Sequence, residues 1–327
     1  MRRTGPVFAL AMVIALAWVG PAASRDPDAG VTIGRGSIAR YAYPASLLEN
    51  SAMQQFTALK QQAGAKGALL PPDHPQNVRL RRIARDMLPF IEKWNPRAKE
   101  WKWEVVTIKS STVNAFCMPG GKIAFFTGIL DRLNLTDDEV AMIMGHEMAH
   151  ALREHGRARA VKTTLTNVTS RVIGALILGD SGQVIGQQAA GLFNLRFSRG
   201  DETDADLVGM ELAARAGYNP ASGVKLWEKM ASVSKGAGKD GKGAEKGAPP
   251  EWLSTHPANT TRIKTIKDHL HEVEGIYQRA HAAKLAKGKP VIEPEAPAGS
   301  PPGRITAPPG PPPGAPFPQQ QPLPVPR

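Results

Sequence analysis

The sequence predicts an α+β domain that is predominantly α-helical and carries one small β-sheet. Three observations predict it. A long Pro-free helical stretch opens at Thr136, a second helix opens around Glu202, and three short β-prone runs lie between Trp103 and Phe126. Each element follows from local chemistry, taken here from the amino terminus.

Met1-Arg2-Arg3, an apolar run from Val7 to Val19 and the small residues Gly20-Pro21-Ala22-Ala23-Ser24 have the layout of a secretory signal peptide over 1–24. Cleavage after Ser24 fits Ala22-x-Ser24, with Ala22 and Ala23 as alternative cut sites. Thirteen apolar residues are short for a membrane span, so a retained anchor is the lesser reading. Residues 25–72 form a leader with one helix over Ser46 to Gln62. A domain over 73–285 opens with a helix near Val78 to Trp94. Trp103 to Ile108, Val113 to Phe116 and Lys122 to Phe126 alternate as strands, with Ser110-Ser111 and Pro119-Gly120-Gly121 as turns. An edge strand in this region can hold an extended peptide, and Asn114 and Ala115 are the candidates for that rim. An ordinary packing hairpin is the plainer alternative.

Thr136-Asp137-Asp138-Glu139 reads as a capping box, and the helix it starts extends to about Arg159. Within it lies His146-Glu147-Met148-Ala149-His150. At 3.6 residues per turn His146 and His150 share one face and can meet one ion. Glu147 sits beside them as a general base for water, the layout of a zinc-dependent peptidase. His155, five residues after His150, falls on another side of that helix and reads as structural or solvated. The third ligand is assigned to Glu202, which opens a helix running to about Ala216 and stopped by Gly217 and Pro220. Asp206, one turn on, accepts the free ring N–H of a ligand histidine. Acids that merely complement a helix N-terminus are the competing reading.

The chain resembles the HtpX, Oma and CaaX-prenyl-protease family of zinc metalloendopeptidases, especially its soluble periplasmic branch. Four stretches carry the likeness across about residues 75 to 272. These are Val113 to Gly121 leading to Thr127-Gly128; His146 to His150; Glu202 to Asp206 with Ala216-Gly217-Tyr218; and Ser254-Thr255-His256-Pro257 with Arg262-Ile263. The resemblance implies one Zn²⁺ per chain, proteolysis, and a gluzincin-like, mostly helical fold with a small sheet beside the HExxH helix. It also implies that His256 approaches the site, as an oxyanion donor or as a regulatory ligand. Arg262 then faces the oxyanion, the substrate or an acidic neighbour.

The single cysteine, Cys117, excludes an internal disulfide, which is compatible with a periplasm for a helical core of this length. The formal net charge of +12 falls to +10 once Arg2 and Arg3 leave with the signal peptide. The basic residues are scattered and not interleaved with aromatics, so no nucleic acid is expected as a partner. Peripheral contact with anionic membrane surfaces suits that charge better. Val168 to Phe193 is small and apolar, read as a packed hairpin or as a membrane- or partner-contacting patch. Residues 234–250 are Lys- and Gly-rich and read as a flexible loop, and 286–327 as a disordered Pro-rich tail. The expected function is a periplasmic zinc endopeptidase acting on unfolded or misassembled envelope proteins. The alternative is an envelope assembly factor or chaperone with a latent zinc site.

Overall fold

The computed structural model describes residues 26, 28–161, 197–236, 251–257 and 260–288. The expected signal peptide, all of Val168 to Phe193, most of the 234–250 loop and nearly all of the tail lie outside the described residues.

Helix α1 covers Ala45–Ala65, three residues longer than expected at its C-terminal end. Helix α2 covers Pro75–Met87, with Pro75 at its first position and the His74 side chain accepting from the Gln76 amide. The sequence reading ran this helix on to Trp94. Pro89 has no amide to continue the ladder, and the chain tightens instead into a short 3₁₀ turn over Leu88–Phe90.

Three strands follow: β1 over Glu104–Ile108, β2 over Ala115–Met118 and β3 over Lys122–Phe126. Their order is β1-β3-β2, with β1 parallel and β2 antiparallel to β3. Strand β2 is therefore an edge, and it starts two residues later than expected. Gly120 and Gly121 both take positive φ (81° and 75°) in the β2–β3 turn, and a Cβ on Gly121 would lie 2.6 Å from Trp103. Side-chain alternation divides the sheet cleanly. Val105, Ile123, Phe125 and Ala115 join the main core, whereas Val106, Ile108, Ala124 and Met118 pack with Ala52, Phe56 and Ala63 of α1.

Short α3 (Thr127–Arg132) leads to α4 (Asp137–Leu152), whose capping box has both arms in place. The Glu139 amide donates to Thr136 Oγ1 (3.3 Å), and Glu139 Oε2 accepts from the Thr136 amide (2.8 Å). The helix ends at Leu152, seven residues before the expected boundary. Glu154 adopts φ +56°, and residues 155–161 resume helix in a new direction. Helix α5 (Arg199–Arg215) starts three residues before Glu202, because Ser198 and Asp201 form a second capping box. Helix α6 covers Ser222–Gly236, α7 Glu251–Thr255 and α8 Thr260–Gly288.

Helices α4 and α5 cross where Gly145 meets Gly209. A Cβ on Gly145 would stand 2.6 Å from the Gly209 carbonyl oxygen, and one on Gly209 2.6 Å from the His146 amide nitrogen. Two glycines face to face let the backbones touch, and the site depends on that approach. No described helix is long and apolar enough to cross a membrane.

Candidate metal centre

Helix α4 delivers His146 and His150 one turn apart, and its crossing with α5 brings Glu202 beneath them. The short α7 ends just before His256, which completes the group. Donor atoms of His146, His150, Glu202 and His256 all lie within 4.8 Å of one another, and all four residues are buried. His146 Nε2 is 3.1 Å from His150 Nε2 and 3.2 Å from His256 Nδ1. Glu202 Oε1 is 2.9 Å from His256 Nδ1 and 3.5 Å from His150 Nε2, and its Oε2 is 3.5 Å from His146 Nε2. Three imidazole nitrogens and one carboxylate converge with more lone pairs than protons to fill them. That donor set fits zinc.

Behind the donors lies an ionic layer. His146 Nδ1 stands 3.1 Å from Asp206 Oδ1, within reach of the acceptor role expected of Asp206. Arg262, from α8, donates through Nε and Nη2 to Asp206 (2.7 and 2.6 Å) and pairs with Glu202 Oε2 at 2.7 Å. Of the three partners suggested for Arg262, the geometry provides the acidic neighbour. The guanidinium is buried against these two acids. It also stacks on Trp227, with Cζ 3.7 Å from the ring centroid.

The protonation states follow. Burial pushes His146 down and Arg262 adds to that, but Asp206 and Glu202 outweigh both and raise it to about 9. Burial and the neighbouring His146 hold His150 well below its ordinary value. Burial opposes ionisation of Glu202, yet hydrogen bonds to His146 and His256 hold it far below the carboxylate range. Asp206, against the same burial penalty, is lowered by the charge and hydrogen bonds of Arg262.

Glu147 is buried beside the cluster, where its Oε1 accepts from Trp252 Nε1 at 2.7 Å. His256 Nε2 lies 3.6 Å from the same oxygen. The sequence reading missed Trp252, although it stands one helical turn before His256. Its amide also donates to the Val113 carbonyl (3.0 Å), which ties α7 to the chain entering β2. Asn114 and Ala115 follow directly. The Asn114 carbonyl accepts from Phe126, and Asn114 Oδ1 accepts from the Ala115 amide (2.9 Å). Antiparallel alternation then points the backbone groups of Ala115 and Cys117 toward the free edge.

Phe197 is a residue the sequence pattern does not single out, and His155 takes the structural of its two expected roles. Phe197 stacks on the His150 ring, centroids 4.0 Å apart and planes 24° apart. His155 is buried, not solvated, because the turn at Glu154 folds it back until its Nδ1 is 3.0 Å from His150 Nδ1. The assumption that failed was one unbroken helix. Burial lowers the His155 pKa to about 4.

Comparisons with known proteins agree with this architecture. The description "Peptidase family M48" matches residues 75–270. A mitochondrial metalloendopeptidase OMA1 of Saccharomyces cerevisiae is 28% identical over 223 residues, covering 66% of this chain and 62% of the yeast protein. Metalloprotease LoiP of Escherichia coli is 30% identical over 161 residues, 48% of this chain and 59% of LoiP. A beta-barrel assembly-enhancing protease of Yersinia pestis is 26% identical over 179 residues, 51% of this chain and 34% of that protein. The matches thus span between about a third and three fifths of these relatives' own lengths.

Proposed function

This chain belongs to peptidase family M48, and from that premise we propose that it is a zinc-dependent metalloendopeptidase of the cell envelope. The observation that carries the reading is the convergence of four buried donors, three from α4 and α5 and one from the turn after α7, with the Glu147 carboxylate beside them. His146, His150 and Glu202 would hold one zinc. Zinc bound there supplies Lewis acidity, polarising a carbonyl oxygen and acidifying water.

The chain's own groups do the rest. Trp252 occupies Glu147 Oε1 and leaves the other carboxylate oxygen to take a proton from the attacking water and return it to the leaving amine. Asp206 and Arg262 fix the ring of His146 and the carboxylate of Glu202. An extended peptide can pair with the edge of β2, unpaired among the described residues, through the Ala115 carbonyl and the backbone of Cys117. Beside His150 a cavity lined by Leu48, Trp101, Met118 and Phe197 suits one apolar side chain. Unfolded chains expose both an unpaired backbone and apolar side chains, which supports unfolded or misassembled envelope proteins as substrates. His256 is a fourth donor in the group, whereas a catalytic zinc would need only three protein ligands and a site left for water. We read it as a group that competes for that position.

The amino-terminal pattern over 1–24 supports a periplasmic location, with peripheral membrane contact as the finer suggestion. A complete donor set with an adjacent base favours the peptidase over an assembly factor with a latent site. Zinc content and casein cleavage, measured on the wild type beside Glu147→Gln, test the reading. About one zinc in both with cleavage in the wild type alone supports it, with a loss of at least about 10² to 10⁴-fold in the variant. Equal cleavage by the two proteins, or no zinc in either, refutes it.

A further inference from the structure

Two imidazoles of the cluster present their second ring nitrogen to the protein, and they meet different acceptors. His146 turns Nδ1 to a carboxylate, Asp206, while His150 turns Nδ1 to another imidazole, His155, at 3.0 Å. His155 is no surface side chain. It is 4% exposed, and its ring centroid lies 5.0 Å from that of His150. Its own Nε2 points toward two carboxylates near the start of α5, Asp201 at 3.9 Å and Asp204 at 4.0 Å.

The two acids on its Nε2 side favour the His155 tautomer that carries its proton on Nε2. Its Nε2–H faces the carboxylates and its Nδ1 lone pair faces His150. His150 must then carry its proton on Nδ1 and keep Nε2 bare, and Nε2 is the atom that faces His146 and Glu202. Phe197 covers one face of the His150 ring, and His155 meets it at 74°, so rotation is blocked as well.

The backbone shows what this placement requires. Continued α-helix would carry residue 155 away from His150. Instead the chain spends a left-handed, non-glycine conformation at Glu154 (φ +56°) to fold it back. Arg157 (2.8 Å) and Arg40 (3.5 Å) hold the Glu154 carboxylate and with it the turn.

We propose that His155 is a positioning residue for the metal centre, holding His150 in the tautomer and orientation that present Nε2 to the ion. The inference rests on the reading of His150 as a zinc ligand. It adds a residue outside the HExxH motif, and it makes the two histidine ligands unequal, one backed by an anion and the other by a neutral ring.

The test uses the full chain with His155→Leu, which keeps bulk but has no acceptor, and His155→Gln, whose amide oxygen can accept. Zinc affinity is measured by chelator competition. The visible spectrum of the cobalt-substituted protein and the melting of the chelator-treated protein are followed alongside. The Leu variant should bind zinc about 10- to 100-fold more weakly, with an altered cobalt spectrum and an unchanged melt of the metal-free chain. The Gln variant should stay within about threefold of the wild type. Wild-type affinity in a folded Leu variant overturns the proposal, as does equal weakening in both variants. Should Leu prevent folding, Gln alone decides: near-native affinity supports the positioning role, and a tenfold loss ends it. A wild type that binds no zinc refutes the metal centre itself, an outcome distinct from any of these.

Discussion

The two sides of the sheet are built on opposite terms. On the α1 side, Phe56, Ala52, Val106, Ile108 and Ala124 form a wholly apolar layer with no charge to satisfy. On the far side of α4, where it meets α5 and α8, His146, Glu147, Glu202, Asp206 and Arg262 are all buried, none more than 5% exposed. The first layer contributes by removing apolar surface from water, about 1.5–3 kcal/mol for a side chain such as Phe56. The second is tolerable only because each ion has a partner, since an unpaired buried charge costs more than its bridge ever returned. One region can lose a side chain and keep its chemistry. The other cannot.

The strongest test of that contrast is Arg262→Met. It keeps apolar contact with Trp227 but leaves Asp206 and Glu202 facing each other without their cation. A loss of about 3–5 kcal/mol is expected in denaturant unfolding, together with weaker zinc binding. A Met variant as stable as the wild type would show that the ionic layer is far less costly than its burial implies.

Phe56→Ala supplies the opposite arm. It should lose about 3 kcal/mol by cavity formation yet bind zinc with wild-type affinity in chelator competition. A tenfold change in affinity would mean that the two layers are coupled through the sheet.

Gly209→Ala sits at the junction. Its new methyl meets the His146 backbone, so α5 must move away from α4, at a cost of about 1–3 kcal/mol. Glu202 rides on α5, and zinc affinity should fall with stability. Stability lost without affinity would show that the crossing serves packing alone.

The smallest effect belongs to the rim. Asp137 pairs with Arg79 and Arg82 at the start of α4. Burial raises its pKa, but the two arginines outweigh burial and leave it lowered. A lowered folded pKa gives stability that is present above the unfolded value, near 3.9, and is lost as pH falls through the folded one. Asp137→Asn should therefore cost only about 0.5 kcal/mol near neutral pH, because the pair is partly exposed. The gap between variant and wild type in thermal melts should close below about pH 4.

The same contrast separates what was readable from what was not. The capping box at Thr136 and the face shared by His146 and His150 are local, set by hydrogen bonds and spacing within a few residues. The three strands were legible too, with β2 misplaced by two residues because its alternation continues through Cys117 and Met118 into the turn. Ser198 and Asp201 form a capping box with Asp in place of Glu, a pattern the sequence reading passed over, so α5 was started late.

By itself the sequence determined a mostly helical domain with a small sheet, a histidine pair beside an acid, and a second acidic helix to complete the group. Those properties depend on residue spacing and short-range backbone chemistry. The three-dimensional packing brings Gly145 and Gly209 into contact, commits Arg262 to Asp206 and Glu202, and carries Trp252 to Glu147. It alone decided that a left-handed residue at Glu154 turns His155 onto His150. These pairings join residues far apart in the chain, or reverse its direction within a single residue. Helical periodicity carries no record of either.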